Sequence, residues 1–377
     1  MTRVVDIEIH AIDGDARAGT VTTRRGTFET PVFMPVGTKG AVKHLTSRDL
    51  EELGIEIQLA NTYHLMLRPG ADTVHELGGI HGFEDWHGHV LTDSGGYQVF
   101  SLNPKVDDGG ATFTSTYDGS KHRLTPEDAV RIQGLIGADI QMVLDVCAPL
   151  PSDDRTLRTA VDRTAAWAAR ARNAPGRAAG QALFGIVQGG TNVHLRKESA
   201  ARTVELDFDG NAIGGLSVGE TRAEMLPALE ATTELLPLDK PRYLMGVGDP
   251  AGMVEAVARG VDMFDCVLPT RLARHGTLLT NGGRVNLRNA QWTRSDEPPD
   301  PTCGCSTCAR WSKGYLRHLL AVNEPTAARL TTVHNIAWLH GLVRGWRRAI
   351  LAGTFEQERA RVLAIWGGAS EARASEP

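Results

Sequence analysis

Two groups of residues in this 377-residue chain have the types and spacing to do chemistry. The first is a pair of acids at the ends of apolar runs. In Leu91-Thr-Asp93-Ser94-Gly-Gly-Tyr97-Gln98, Asp93 falls where a strand would end. Two glycines then let backbone approach a ligand, and Tyr97 can stack on a flat ring. Asp265 stands inside the apolar run 263–268, where an ionised carboxylate is costly unless paired or functional. Two carboxylates at strand ends can flank a glycosidic bond as nucleophile and acid/base. Asp262, just upstream, reads instead as a solvated loop acid.

The second group is Cys303-Gly-Cys305-Ser-Thr-Cys308, with His334 further on in a helix-like stretch, residues 331–343. Three cysteines and one histidine make the closed tetrahedral set of a structural zinc site, with no open position for substrate. One structural Zn2+ per subunit is therefore expected. His318 and His340 compete for the fourth position. Cys147 and Cys266 stand alone in apolar runs, and this uneven distribution favours a reducing compartment and a metal over a disulfide framework.

The elements that must position these groups recur along the chain. Short apolar runs at residues 31–36, 55–60, 89–92, 140–144, 183–187, 212–215, 243–246 and 263–267 read as strands. Between them, residues 47–53, 126–136, 152–172 and 222–236 read as amphipathic crossover helices, with Ser47 a cap and Pro126 a helix start. Alternation alone fits either an open doubly wound sheet or a closed barrel. The polar residues decide. Asn61, Asp93, Asp145, Gln188 and Asp265 fall at the downstream ends of different runs, and barrels collect their sites from the carboxyl ends of many strands. The expected fold is an α/β single-domain (β/α)8 TIM barrel over residues 1–377.

The pattern breaks after Asn281-Gly-Gly, a hairpin-like turn, into the acidic and proline-rich segment 296–301. Residues 288–339 are expected to form an inserted zinc-binding subdomain. The tail from Gly367 onward is small and polar and is expected to fray. With 41% hydrophobic residues the chain can bury a sizeable core, and its formal net charge of −5 excludes a protein that coats nucleic acid by bulk charge. A nucleic-acid enzyme would need a local basic patch. The first ten residues lack the pattern of a secretory signal and no long apolar run occurs, so the expected location is cytoplasmic, away from membranes.

Seven segments carry a resemblance that spans nearly the whole chain. They are Thr30-Pro-Val-Phe-Met-Pro-Val-Gly37, residues 91–100, Gly185-Ile-Val-Gln188-Gly-Gly, Ile213-Gly-Gly-Leu216-Ser-Val-Gly-Glu220, Tyr243-Leu-Met245-Gly-Val-Gly248, residues 264–271 and the set from Cys303 to His334. In order and spacing the chain resembles the tRNA-guanine transglycosylases. That resemblance implies exchange of the guanine at the first anticodon position of tRNA within queuosine biosynthesis. Asp265 would be the nucleophile that forms a covalent ribosyl intermediate, and Asp93 the general acid/base.

The resemblance also implies a base pocket. Asp145 and Gln188 would meet the guanine edge, the Gly215 N–H and Leu216 C=O would add backbone contacts, Tyr97 and Met245 would sandwich the ring, and Ser94 would be a further substrate-binding residue. Val218 and Cys147 match the bacterial form of the family, which takes 7-aminomethyl-7-deazaguanine rather than queuine. Glu220 would help to sense the aminomethyl group. Arg271 and Arg274 would contact the RNA, and Arg284, Arg288, Arg294, Arg310, Lys313 and Arg317 could extend a basic face. Partners implied are tRNA, free guanine, the deazaguanine base and a second copy in a homodimer.

The chain departs from the family where Thr270-Arg-Leu272-Ala-Arg274-His275-Gly stands for the usual Thr-Arg-Asn-x-Arg-Asn-Gly, which puts that loop's fine structure in question. Two rivals remain open at this point. One is a non-catalytic tRNA-binding subunit of the same fold; the other is a barrel hydrolase acting on a small glycoside. Retention of both acids argues against the first, and the cysteine cluster against the second.

Overall fold

The computed structural model describes residues 4–368. Eight parallel strands close into a barrel: β1 (Val32–Gly37), β2 (Ile57–Ala60), β3 (His89–Thr92), β4 (Ile140–Met142), β5 (Ala182–Val187), β6 (Gly210–Ile213), β7 (Arg242–Leu244) and β8 (Met263–Cys266). Each pairs with its neighbours in chain order, and β8 returns to β1, with Met263 opposite Val32 and Asp265 opposite Met34. All eight expected strands are present, with ends shifted by a few residues.

Crossover helices surround the ring, among them α1 (Pro126–Ile136), α2 (Asp154–Arg172), α3 (Val193–Glu205), α4 (Arg222–Thr233), α5 (Leu268–Arg274) and α6 (Pro325–Ala352). Local chemistry sets their starts. Thr125 caps α1 through a reciprocal pair of bonds with Asp128, and Pro126 follows at the first turn. Thr221 and Glu224 form the same reciprocal box at α4.

Strands buried on both faces read as unbroken apolar runs because each face meets a different layer. Phe33, Val90, Val187, Ile213, Leu244 and Phe264 pack in one cluster with helix residues such as Leu229, Val254 and Trp346. Their sequence neighbours Met34, Leu91, Ile186, Ala212, Tyr243 and Met263 pack in another, together with Ile7, Val21 and Phe28. Those last three belong to an antiparallel sheet of Asp6–Asp13, Ala16–Thr23 and Gly26–Thr30, which the strand pattern did not anticipate. Phe28 meets the ring of His89, the first residue of β3, at 5.0 Å, so this sheet covers the amino-terminal mouth of the barrel. The opposite mouth, where the strands end, is left for the site.

A second antiparallel meander, Lys105–Asp107, Gly110–Thr114 and Lys121–Leu124, was also unforeseen. After α5, Thr277–Thr280 and Gly283–Asn286 form the expected hairpin around Asn281-Gly282. Short helices Ser306–Arg310 and Lys313–Ala321 follow, and α6 then runs from the cysteine cluster back onto the barrel. Of the tail expected from Gly367 onward, residues 369–377 lie outside the described residues.

Candidate active site

Asp93 follows the last residue of β3 and is gripped by the turn after β2. Asn61 caps the short helix Thr62–Leu65: its Oδ1 accepts from His64 N at 3.1 Å, which turns its Nδ2 toward Asp93 Oδ2 at 2.5 Å. The backbone N–H of Thr62 and that of Gly95 donate to Asp93 Oδ1 at 2.8 and 3.1 Å. Gly95 has φ +79°, and a Cβ there would lie 3.1 Å from Tyr63 N, so the close approach of the two turns needs glycine. Desolvation nonetheless pushes the Asp93 carboxyl up to about 7, with the negative fields of Asp265 and Asp145 adding to it.

Asp265 sits in β8 and leans on β7. The Tyr243 hydroxyl donates to its Oδ1 at 2.5 Å and the Gly246 N–H donates to the same oxygen at 2.8 Å. Oδ2 carries neither bond. Burial raises the Asp265 carboxyl above its ordinary value despite these donors. Asp93 and Asp265 thus emerge at one end of the barrel, near enough for the charge of Asp265 to be felt at Asp93.

Between them lies a polar floor from β4, β5 and β6. Gln188 Nε2 donates to Asp145 Oδ2 at 2.6 Å, with both side chains buried. Burial pushes Asp145 up to about 6. A Cβ on Gly215 would fall 2.1 Å from Gln188 Oε1, so the β6 turn lies directly against this amide. Gly215 has φ +65° and Ser217 φ +62°, which turns the chain sharply at residues 214–218. Glu220 accepts from Val218 N at 3.0 Å and also from Ser217 N. Ser94 is buried beside Asp93, Met245 follows β7 half-buried, and the Tyr97 ring is 61% exposed.

A barrel mouth that gathers an exposed flat ring, a buried acceptor and amide pair, and two desolvated carboxylates has the groups to hold a purine-like base beside a sugar. Of the expected site residues, Asp93, Asp145, Gln188, Gly215, Leu216, Met245 and Asp265 all lie at or just beyond strand ends on this face. Arg271 and Arg274 stand on α5, immediately after β8, both half-buried. Leu272 packs against the main core and His275 ends the helix, which accommodates the departure from the family's usual loop.

Two expectations are corrected. Asp262 is not solvated. It is wholly buried immediately before β8, where Arg17 donates to its Oδ1 and Oδ2 at 2.8 and 2.6 Å and Arg242 N adds 2.7 Å. Lys313 is not part of an open basic face: it is buried, pairs with Glu297 at 2.9 Å and lies over the Trp292 ring.

Sequence reasoning missed Thr62, Tyr243 and Arg196, and took Asn61 only as a strand-end polar group. Tyr243 opens a strand and Arg196 lies in an ordinary helical stretch, so neither carries a local signal. Asn61 does: an asparagine before a Thr-Tyr-His-Leu turn is a cap signature.

The cysteine cluster forms as expected. Cys303, Cys305, Cys308 and His334 bring their ligand atoms within 4.8 Å of one another. His334 Nδ1 lies 3.2 Å from Cys308 Sγ and 3.7 Å from Cys305 Sγ. Its Nε2 is 2.8 Å from the Leu279 carbonyl, which can only accept, so Nε2 carries the proton and Nδ1 offers its lone pair to the cluster. The set could hold a metal ion. Among the described residues no helix is long and apolar enough to cross a membrane.

Comparison with known proteins bears on the whole chain. The family model described as "Queuine tRNA-ribosyltransferase" matches residues 13–367. Similar proteins under that name include one from Herpetosiphon aurantiacus, 54% identical over 346 residues, 91% of this chain and 88% of that one. One from Desulforudis audaxviator is 52% identical over 351 residues, 93% and 94% of the two chains. A third, from Nitratidesulfovibrio vulgaris, is 50% identical over 369 residues, 97% and 98% of the two.

Proposed function

The chain belongs to the queuine tRNA-ribosyltransferase family, and from that premise we propose that it is a tRNA-guanine transglycosylase. It replaces guanine at the first anticodon position of tRNA with 7-aminomethyl-7-deazaguanine. The observation that carries this reading is the convergence of Asp93 and Asp265 on one mouth of the barrel, with the Asp145–Gln188 pair between.

In the first half-reaction Oδ2 of Asp265, which neither Tyr243 nor Gly246 holds, attacks C1′ of the ribose, and the C1′–N9 bond breaks with its electrons leaving on guanine. Asp93, held near neutrality by burial, supplies the proton the departing base needs. The product is a ribosyl ester on Asp265. In the second, the incoming base gives its N9 proton to Asp93 and attacks C1′, and Asp265 leaves as a carboxylate. Tyr243 and Gly246 hold Oδ1, so a single oxygen is left to react.

Asp145 accepts from the N–H groups of the guanine edge, Gln188 and the Gly215 N–H face its oxygen, and Tyr97 with Met245 covers the ring. Because Ser217 N points to Glu220, the carbonyl of Leu216 in the same trans peptide points the other way, free to accept from an aminomethyl group. Val218 and Cys147 line the same end. Ser94 supports the Asp93 turn, and Arg271 and Arg274 contact nucleotides around the target base.

Three thiolates and a histidine with a protonated Nε2 suit Zn2+, which would cross-link the segment 303–308 to α6 and take no part in bond exchange. We take residues 288–339 as the unit built around it. The family likeness also supports a homodimer, which light scattering tests, and a cytoplasmic enzyme.

The decisive assay is incorporation of labelled guanine into unmodified tRNA whose anticodon begins with guanosine, with the aminomethyl base as competitor. Wild type should exchange and should leave a covalent tRNA adduct on a denaturing gel that Asp265→Ala lacks. Binding of tRNA without any exchange would sink the enzyme reading in favour of a non-catalytic subunit.

A further inference from the structure

Arg196, on α3, has no exposed surface, yet the hydrogen bonds of its guanidinium run to backbone carbonyls rather than to a carboxylate. Nε donates to Gly190 O at 2.7 Å, Nη1 to Val187 O at 3.1 Å and Gly214 O at 2.7 Å, and Nη2 to Gly215 O at 3.1 Å. Glu220 acts on this cation only through its field and bonds none of its nitrogens. Burying a guanidinium with carbonyls as its hydrogen-bond partners is expensive, and a leucine would brace a helix against a strand at lower cost. The fork therefore calls for a reason beyond packing.

That reason lies in peptide geometry. In a trans peptide the C=O and the N–H point in opposite directions. With the Gly214 carbonyl drawn back to Arg196, the N–H of Gly215 must face away from it, and it is found directed at the Cys147 thiol, on the pocket side. The positive φ of Gly215 and the 2.1 Å that a Cβ there would leave to Gln188 Oε1 mean that this turn has little room to choose otherwise.

We propose that Arg196 is a positioning residue that sets the hydrogen-bonding polarity of the base pocket, by turning the Gly215 N–H inward as a donor for the 6-oxo group of guanine. This rests on the base-exchange reading of the site. Asp145, an acceptor, meets the N–H groups of guanine, so the adjacent edge atom of the base is its carbonyl oxygen, and a donor must stand there. Arg196 supplies that donor at one remove, without touching the base.

The test compares guanine with 2-aminopurine, which lacks the 6-oxo group and the N1 proton. Binding of 2-aminopurine is followed by its own fluorescence and binding of guanine by displacement, with no tRNA and no turnover required. Asp145 is unchanged in every variant, so its contribution to the preference cancels between them.

In Arg196→Lys, which keeps the charge but not the fork, the preference for guanine should fall about tenfold while 2-aminopurine affinity stays within about threefold of wild type. Arg196→Met, where it folds, should lose more of the preference. A folded Arg196→Lys that keeps the wild-type preference, or that weakens both bases in parallel, overturns the inference. Wild type that prefers guanine but never exchanges it would sink the transfer reaction while leaving the role of Arg196 standing.

Discussion

The phenol of Tyr243 and the carboxylate of Asp265 share a 2.5 Å hydrogen bond across adjacent barrel strands, with the tyrosine 1% exposed. A donor to the charged form favours ionisation, so this bond holds down a carboxyl that burial otherwise raises. Removing it in Tyr243→Phe should raise the Asp265 value and move the acid limb of the exchange rate upward by about one pH unit, with about a tenfold loss below the limb. An unmoved limb in a pH profile of kcat/KM would mean that the phenol does not tune the acid.

Asp145 should trade stability for binding. Its folded value of about 6 lies above its ordinary 3.8, so the folded state holds the proton more tightly than the unfolded chain does. Stability is therefore lost as pH rises between those values and is not regained above them. Asp145→Asn, which keeps an acceptor for Gln188, should gain ~1–2 kcal/mol of unfolding free energy at pH 8, little at pH 4, and lose guanine binding. Denaturant melts at the two pH values decide it; an equal effect at both contradicts the buried-charge account.

The two acids of the Val261–Cys266 segment should respond oppositely to deletion. Asp262→Ala strands Arg17 and leaves Arg242 N unpaired, at a cost of ~3–5 kcal/mol. Asp265→Ala removes a desolvated charge and should leave stability unchanged or raised while abolishing the adduct. Thermal melts of both variants separate the roles, and an Asp262→Ala protein as stable as wild type would refute the clamp.

Removing metal should act on folding before it acts on chemistry. Cys308→Ala or a strong chelator should lower the melting temperature and expose the 303–308 segment to protease, while the remaining folded fraction keeps its guanine affinity. Loss of guanine affinity in protein that stays fully folded would assign the cluster to the pocket instead.

How far the sequence carries depends on whether a feature has local period. The eight strands and the turn at Asn281-Gly282 were legible because each is written in a few consecutive residues. So was the cysteine cluster, whose first three ligands are nearly contiguous. The sheet over the amino-terminal mouth was not, because Asp6–Asp13 alternates polar with apolar residues, the mark of a half-buried strand that a reading of unbroken apolar runs passes over, and Ala16–Thr23 is made mostly of small and polar residues. Asp262 was misjudged because its neutralising partner, Arg17, lies at the far end of the chain. Arg196 escaped for a related reason: its four acceptors are carbonyls, which have no letter in a sequence.

Helix α6 holds more than His334. Near its other end Arg347 donates to the carbonyls of Gly19 and Thr30 at 2.6 and 2.7 Å, in the sheet that closes the amino-terminal mouth. A chain emerging from the ribosome makes that sheet well before this helix. Residues 6–30 therefore wait until Arg347 has been made for this clasp, and a nascent chain halted before residue 325 would hold its sheet without those two bonds.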